Sequence, residues 1–290
     1  MSTVRERIGA GRFVSFELWP PRTPESAQAL DQALEQLTPL GPAFVAITYG
    51  AGGSTRERTH DLVVRLVGSL HLPLAHLTCA AHHRSELTDL MERYRHAGVD
   101  NLLALHGDPP LSATEELPEG DLRYARELVA LAREQGFPCV GVAVHPEGHP
   151  AAASREADLA HQAAKLRDAD FALTQILHRA ADYTRLVEEL AHRGADAPII
   201  PGVMPITNVR QVERMAQMSG TSIPVELAER LHAVAHDPAE VRRVGVVHAT
   251  ELCRDLLEAG APGLHFYTMN RAAATLEVCA NLGWEPASVG

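Results

Sequence analysis

Apolar positions gather into eight short runs separated by longer stretches of helical period. The runs are residues 12–18 (RFVSFEL), 43–48 (AFVAIT), 73–79 (PLAHLTC), 101–106 (NLLALH), 139–145 (CVGVAVH), 171–177 (FALTQIL), 198–204 (PIIPGVM) and 263–268 (GLHFYT). Most are nearly continuous rather than alternating, as in strands covered on both faces. Between them the spacing predicts helices. Thr23 can cap and Pro24 suits a first helical turn, with Leu30, Leu34 and Leu37 on one face. Leu62, Val63, Leu66, Val67 and Leu70 repeat that stripe. A third helix is expected to open at Ser85 and end at Gly98. Further helical stretches follow (DLRYARELVALAREQG, SREADLAHQAAKLRDA, DYTRLVEELAHRGA), and the long interval 205–262 has room for extra helices.

Strict alternation of strand and helix implies a parallel sheet covered by helices, and eight units fit an α/β (β/α)8 TIM barrel better than a doubly wound sheet. With no composition shift or linker, residues 1–290 are expected to form a single catalytic domain.

Composition narrows the function. The net charge of −11 argues against a nucleic-acid partner or an acidic membrane surface. No stretch approaches a membrane span and the N-terminus has no apolar leader segment, so a cytoplasmic protein is expected. Cys79, Cys139, Cys253 and Cys279 show no C-x-x-C spacing; Cys79 and Cys139 read as core filler.

In such barrels the chemistry sits at the C-terminal strand ends. Those ends supply Glu17, Thr48, His76, His106 with Asp108, His145 with Glu147 and His149, Gln175, the MPITN stretch 204–208, and Tyr267 with Arg271. Each also has a plain structural reading. Glu17 could be a structural acid held by an arginine, His76 a satisfied core histidine, and Tyr267 a cap on the last strand. HPEGHP (145–150) resembles a metal-ligand cluster, although its prolines preclude the helical H-E-x-x-H geometry. Asp158 and Lys165, seven apart, share a helix face that is most often solvated and salt-bridged.

Taken in order, SFELWPPRTPE, ITYGAGGSTRERT, AHLTC, NLLALHGDPP, HPEGHP, ALTQ, IIPGVMPITN and LHFYTMNRA resemble the methylenetetrahydrofolate reductase family, over residues 12–283. The length corresponds to the family's catalytic barrel alone. The resemblance implies reduction of 5,10-methylenetetrahydrofolate to 5-methyltetrahydrofolate by NADH or NADPH, with small-molecule substrates and association into homo-oligomers, as flavin-containing members often show. It makes Glu17 the acid that protonates N10 and opens the methylene bridge. Asp108 and Gln175 would bind the pterin, and Tyr267 and Arg271 the rest of the folate. Thr48, His76, Tyr124, Ala125, His149, Asp158 and Lys165 match positions that contact FAD. The chain departs from the family at His106 (usually Arg), His145 (usually Tyr or Phe), Ile176–His178 (usually aromatic) and Val209 (Phe in some members). Two departures, His106 and His145, fall on the flavin, so hydride is expected to pass either through FAD or directly from the nicotinamide. A reductase of another C1-carrying tetrahydropterin, a metal-dependent barrel hydrolase or aldolase, and a non-catalytic folate- or flavin-binding relative are the rival readings.

Overall fold

Each apolar run of the sequence becomes a strand in the computed structural model of the protein, which describes residues 2–50, 56–69, 71–107 and 120–284. The strands are β1 (Phe13–Leu18), β2 (Val45–Ile47), β3 (Pro73–Thr78), β4 (Asn101–Leu105), β5 (Cys139–Val144), β6 (Phe171–Ile176), β7 (Ile199–Val203) and β8 (Gly263–Tyr267). All neighbouring pairs are parallel, and β8 returns to β1 to close the barrel.

A short helix α1 (Val4–Ile8) precedes β1, and helices follow each strand. They are α2 (Pro24–Leu37), α3 (Arg56–Leu66), α4 (Arg84–His96), α5 (Ala125–Glu134), α6 (Arg155–Asp168) and α7 (Ala180–Ala191). After β7 come α8 (Val209–Ser219), α9 (Val225–Ala233) and α10 (Pro238–Glu258), and after β8 comes α11 (Ala273–Asn281). The long interval 205–262 therefore holds three helices. Thr23 caps α2, its Oγ1 accepting from Ser26 N at 3.2 Å. The third predicted helix starts at Arg84 rather than Ser85, because Asp121 Oδ2 accepts from Arg84 N and Glu86 Oε2 from His83 N, each at 2.8 Å. Those acceptors satisfy amides that the first turn leaves open.

Strand side chains alternate between two cores. Val14, Phe16 and Leu18 of β1 point outward into the layer shared with the helices. Phe13 points inward with Phe44, Leu74, Leu103, Phe171 and Ile200. Val4 and Ile8 of α1 join this inner cluster and plug the N-terminal end of the barrel. The same alternation puts Ser15 and Glu17 on the inner face above Phe13, and His265 and Tyr267 above Gly263. One glycine shapes the mouth from outside. A Cβ on Gly245 of α10 would lie 1.9 Å from Ile206 O, so only glycine lets this helix pack against the β7 exit.

All four cysteines are buried free thiols, and burial pushes Cys79 up to about 11 and Cys139 to about 12. Such thiols are filler rather than nucleophiles. Among the described residues no helix is long and apolar enough to cross a membrane.

Candidate active site

Glu17 ends β1 on the inner face with only 7% of its surface exposed. Its carboxylate faces two imidazoles: Oε2 lies 3.8 Å from His76 Nε2 on β3 and 3.6 Å from His265 Nε2 on β8. Neither nitrogen has a hydrogen-bond partner among the described residues. Among the described residues no arginine or lysine pairs with Glu17, so the arginine-held reading is not what the fold builds. Burial pushes His76 down to about 4, with Glu17 opposing the shift and His265 adding to it, so His76 is neutral at pH 7.

The β8 side of the mouth is braced. Register places Ser15 beside His265 and Glu17 beside Tyr267. Tyr267 donates its hydroxyl to Thr174 O at 2.7 Å; burial, and secondarily Glu17, holds that hydroxyl well above the usual phenol range. Just past β8, Thr268 Oγ1 donates to Glu17 O at 2.7 Å. Asn270 Oδ1 accepts from Trp19 N, and its Nδ2 donates to Trp19 O, both at 2.9 Å. Met269 and Asn270 adopt left-handed φ of 55° and 57° to make this turn, a conformation that asparagine tolerates better than most residues.

Gln175 lies at the end of β6, partly exposed. Its Oε1 accepts from Ile176 N at 2.8 Å, which leaves the amide's two N–H donors for a ligand. Arg271 is exposed on the rim of a cleft between the β7 and β8 exits that also includes Met204, Asn208, Gln211 and Tyr267. Asp108 lies outside the described residues.

A second polar group gathers where β5 meets α6. Gln162 clamps the His145 backbone, accepting from its N at 2.7 Å and donating to its O at 3.2 Å. Asp158 Oδ2 accepts from Gln162 Nε2 at 2.6 Å and His149 N at 3.2 Å. Asp158 is thus buried and used, not part of a solvated salt-bridging face. Burial lowers Lys165 to about 8, against the pull of Asp158. Burial, then Lys165 and His149, lower His145 to about 3. The His145 and His149 rings meet edge to face at 4.7 Å, and His145 Nδ1 is buried without a partner among the described residues. Among the described residues no three His, Cys, Asp or Glu side chains converge to hold a metal.

The remaining expected contact residues are more scattered. Thr48 takes part through its backbone, which donates to Leu18 O and accepts from Thr59 Oγ1, both at 3.0 Å. His106 is exposed after β4. Tyr124, 54% exposed, stacks on His161, and Ala125 behind it is buried at the start of α5. The fold therefore brings Glu17, His76, Gln175 and Tyr267 to the mouth and His145, His149, Asp158 and Lys165 to the β5 corner. His106 and Tyr124 stay at the periphery.

Ser15, His265, Thr268 and Asn270 belong to the site but are absent from the residues expected from sequence. The available signal was parity: a polar residue two before Glu17, and another two before Tyr267, in runs that are otherwise apolar.

The sequence profile of the methylenetetrahydrofolate reductase family matches residues 3–283. The 5,10-methylenetetrahydrofolate reductase of Escherichia coli (strain K12) is 35% identical over 276 residues, covering 94% of this chain and 91% of that protein. The corresponding protein of Pectobacterium carotovorum subsp. carotovorum is 34% identical over 275 residues, with the same coverage. Methylenetetrahydrofolate reductase (NADH) 1 of Arabidopsis thaliana is 32% identical over 283 residues, which span 93% of this chain and 48% of the plant protein. Among solved structures, an uncharacterized Clostridium thermocellum protein that binds two copies of 5-methyl-5,6,7,8-tetrahydrofolic acid superposes with a TM-score of 0.64 at 14% identity, covering 97% of both chains. At that identity the likeness speaks for the barrel alone. From the length and identity of the sequence matches, the chain belongs to the methylenetetrahydrofolate reductase family.

Proposed function

We propose that the barrel mouth reduces 5,10-methylenetetrahydrofolate to 5-methyltetrahydrofolate with a nicotinamide dinucleotide as reductant, and that Glu17 is its acid. The observation that carries the acid's role is a nearly buried carboxyl with no cationic partner among the described residues, set between two imidazoles at the catalytic end of the barrel. A carboxyl so placed can reach a ligand bound in the mouth and pass it a proton.

The proton on Glu17 goes to N10 of the folate. The bond between N10 and the bridging methylene breaks, its electron pair staying on N10, and an iminium remains between N5 and that carbon. Hydride from the reductant adds to the carbon and completes the methyl group, and Glu17 regains a proton from solvent. Gln175 offers its two amide donors to the pterin. The Tyr267 hydroxyl is already spent on Thr174 O, which leaves its ring to pack against the folate. Arg271, exposed on the rim, suits the anionic tail.

The β5 corner fits a redox ring, since it offers a donor in Lys165, an acceptor in Asp158 and an unpartnered buried nitrogen in His145. FAD, when bound there, supplies a two-electron relay from nicotinamide to folate. A second reading, direct transfer from the nicotinamide placed at the same corner, is favoured by His106. That exposed side chain has no permanent charge with which to grip a diphosphate.

Glu17→Gln tests the assignment. It keeps size and hydrogen bonding but has no acidic proton, so turnover should fall by about 10²- to 10⁴-fold with the fold unchanged by circular dichroism. A variant retaining most of its turnover would remove Glu17 from the role.

A further inference from the structure

The inner face of a TIM barrel is ordinarily filled by branched apolar side chains. Here two polar residues with no solvent exposure sit on it below the acid: Ser15 and His265, each 0% exposed. They are neighbours in register, and Ser15 Oγ lies 2.9 Å from His265 Nδ1. The imidazole is held in place on two more sides. It stacks on Phe44 at 5.7 Å and 16°, and the Tyr267 ring meets it edge-on at 5.2 Å. Its other nitrogen, Nε2, is buried, has no hydrogen-bond partner among the described residues and lies 3.6 Å from Glu17 Oε2.

The hydrogen count decides which nitrogen carries the proton. Ser15 has one hydroxyl hydrogen and two acceptor lone pairs. That hydrogen has an acceptor in Leu264 O at 3.3 Å, so the bond at 2.9 Å is satisfied by His265 Nδ1–H donating to Ser15 Oγ. The alternative tautomer would put the N–H at Nε2, 3.6 Å from Glu17 Oε2 and beyond hydrogen-bond distance, and so leave a buried donor unsatisfied in this geometry, the costlier arrangement. A bare lone pair at Nε2 therefore faces Glu17.

We infer that His265, oriented by Ser15, is a positioning residue that holds the acid Glu17 in place by accepting the hydrogen bond of its carboxyl. The inference rests on the reading of Glu17 as the acid. The separation of 3.6 Å closes to a hydrogen bond with a modest rotation of the carboxyl, and contacts of this kind commonly tighten when substrate binds. Once the proton has gone to N10, the carboxylate is left against a lone pair. That arrangement is repulsive and drives reprotonation for the next turnover. Among the described residues, the other titratable groups facing the pair are His76 from β3 and Tyr267 from β8. Both are neutral at working pH, so neither sets a charge against the pair.

The test is the pH dependence of kcat in Ser15→Ala and His265→Leu, with His265→Gln as the conservative variant and Glu17→Gln as the control. Loss of the acceptor should move the alkaline limb of the profile about one unit lower, a tenfold loss of turnover on that limb, with the folate KM little changed. His265→Gln, whose amide oxygen can accept, should recover part of the shift. In the unmodified protein, ¹⁵N NMR of labelled histidine should place the His265 proton on Nδ1. An unshifted limb, a limb moved to higher pH, or a proton found on Nε2 would each overturn the inference. Should His265→Leu fail to fold, Ser15→Ala and the NMR measurement still decide it. If Glu17→Gln keeps its turnover, the acid assignment itself has failed and this inference with it. A dead Glu17→Gln beside an unshifted Ser15→Ala would sink the inference alone.

Discussion

Tyr267 reaches Thr174 O across the space left by Gly202: a Cβ at that position would lie 2.5 Å from the Tyr267 ring and 2.7 Å from the same carbonyl. The glycine is required here for close approach, not for backbone freedom. Gly202→Ala should displace the tyrosine, break its hydrogen bond and strain the β6–β7–β8 corner. We expect a loss of about 1–3 kcal/mol of stability by urea unfolding, as for other overpacked cores, and a raised folate KM.

Asn270 ties the exit of β1 to that of β8 through two hydrogen bonds to the Trp19 backbone. Since Glu17 is two residues before Trp19, the clamp fixes the height of the acid in the mouth. Asn270→Ala loses both bonds and sets alanine, which tolerates the left-handed region less well than asparagine, at a φ of 57°. Stability should fall by about 2 kcal/mol. Asn270→Gly relieves the backbone cost but not the clamp. Turnover should therefore drop in both variants while stability recovers in part in the glycine variant, as paired kinetic and thermal measurements would show.

The barrel was legible because parallel strands buried on both faces read as unbroken apolar runs, and all eight lie within two residues of where the pattern puts them. Glu17 was legible because an acid inside such a run has no packing reason to be there. His265 was not. Its meaning depends on Ser15, 250 positions away, and only the closure of β8 onto β1 brings the two together. Asp158 shows the opposite failure. Helical spacing placed it on a face with Lys165, but spacing does not say that the face turns toward the barrel and is capped by Gln162.

Acid should unfold the protein through histidines held neutral. Burial is the first cause in each of four: His76, His178 and His248 are lowered to about 4, and His145 to about 3. In the unfolded chain each takes up a proton near its ordinary value of about 6.5. Between about 6.5 and 4 the unfolded state thus binds more protons, so stability rises with pH and is lost as pH falls through that window. Each histidine contributes up to about 1.4 kcal/mol per pH unit there. His178→Gln should flatten the fall in the urea midpoint from pH 6.5 to 4. An unchanged slope would mean that His178 titrates in the native state.

His106 is the point at which flavin affinity can be separated from folate chemistry. It is exposed beyond β4, whereas Glu17 and Gln175 lie at the ends of β1 and β6, so a change at 106 leaves the acid and the pterin donors in place. Arginine there adds a permanent charge and a fork of donors matched to phosphate oxygens, which histidine near neutral pH does not supply. A charge-assisted bond on a partly solvated rim is worth about 1–2 kcal/mol, so His106→Arg should tighten FAD binding by roughly fivefold or more in a fluorescence titration. The flavin released on denaturing purified protein should rise in step. If the diphosphate of FAD does not reach this rim, affinity will stay where it is and the two proteins will release the same amount of flavin. That result would move the cofactor's arm away from β4 and leave His145, at the β5 corner, as the departure that matters for the redox ring.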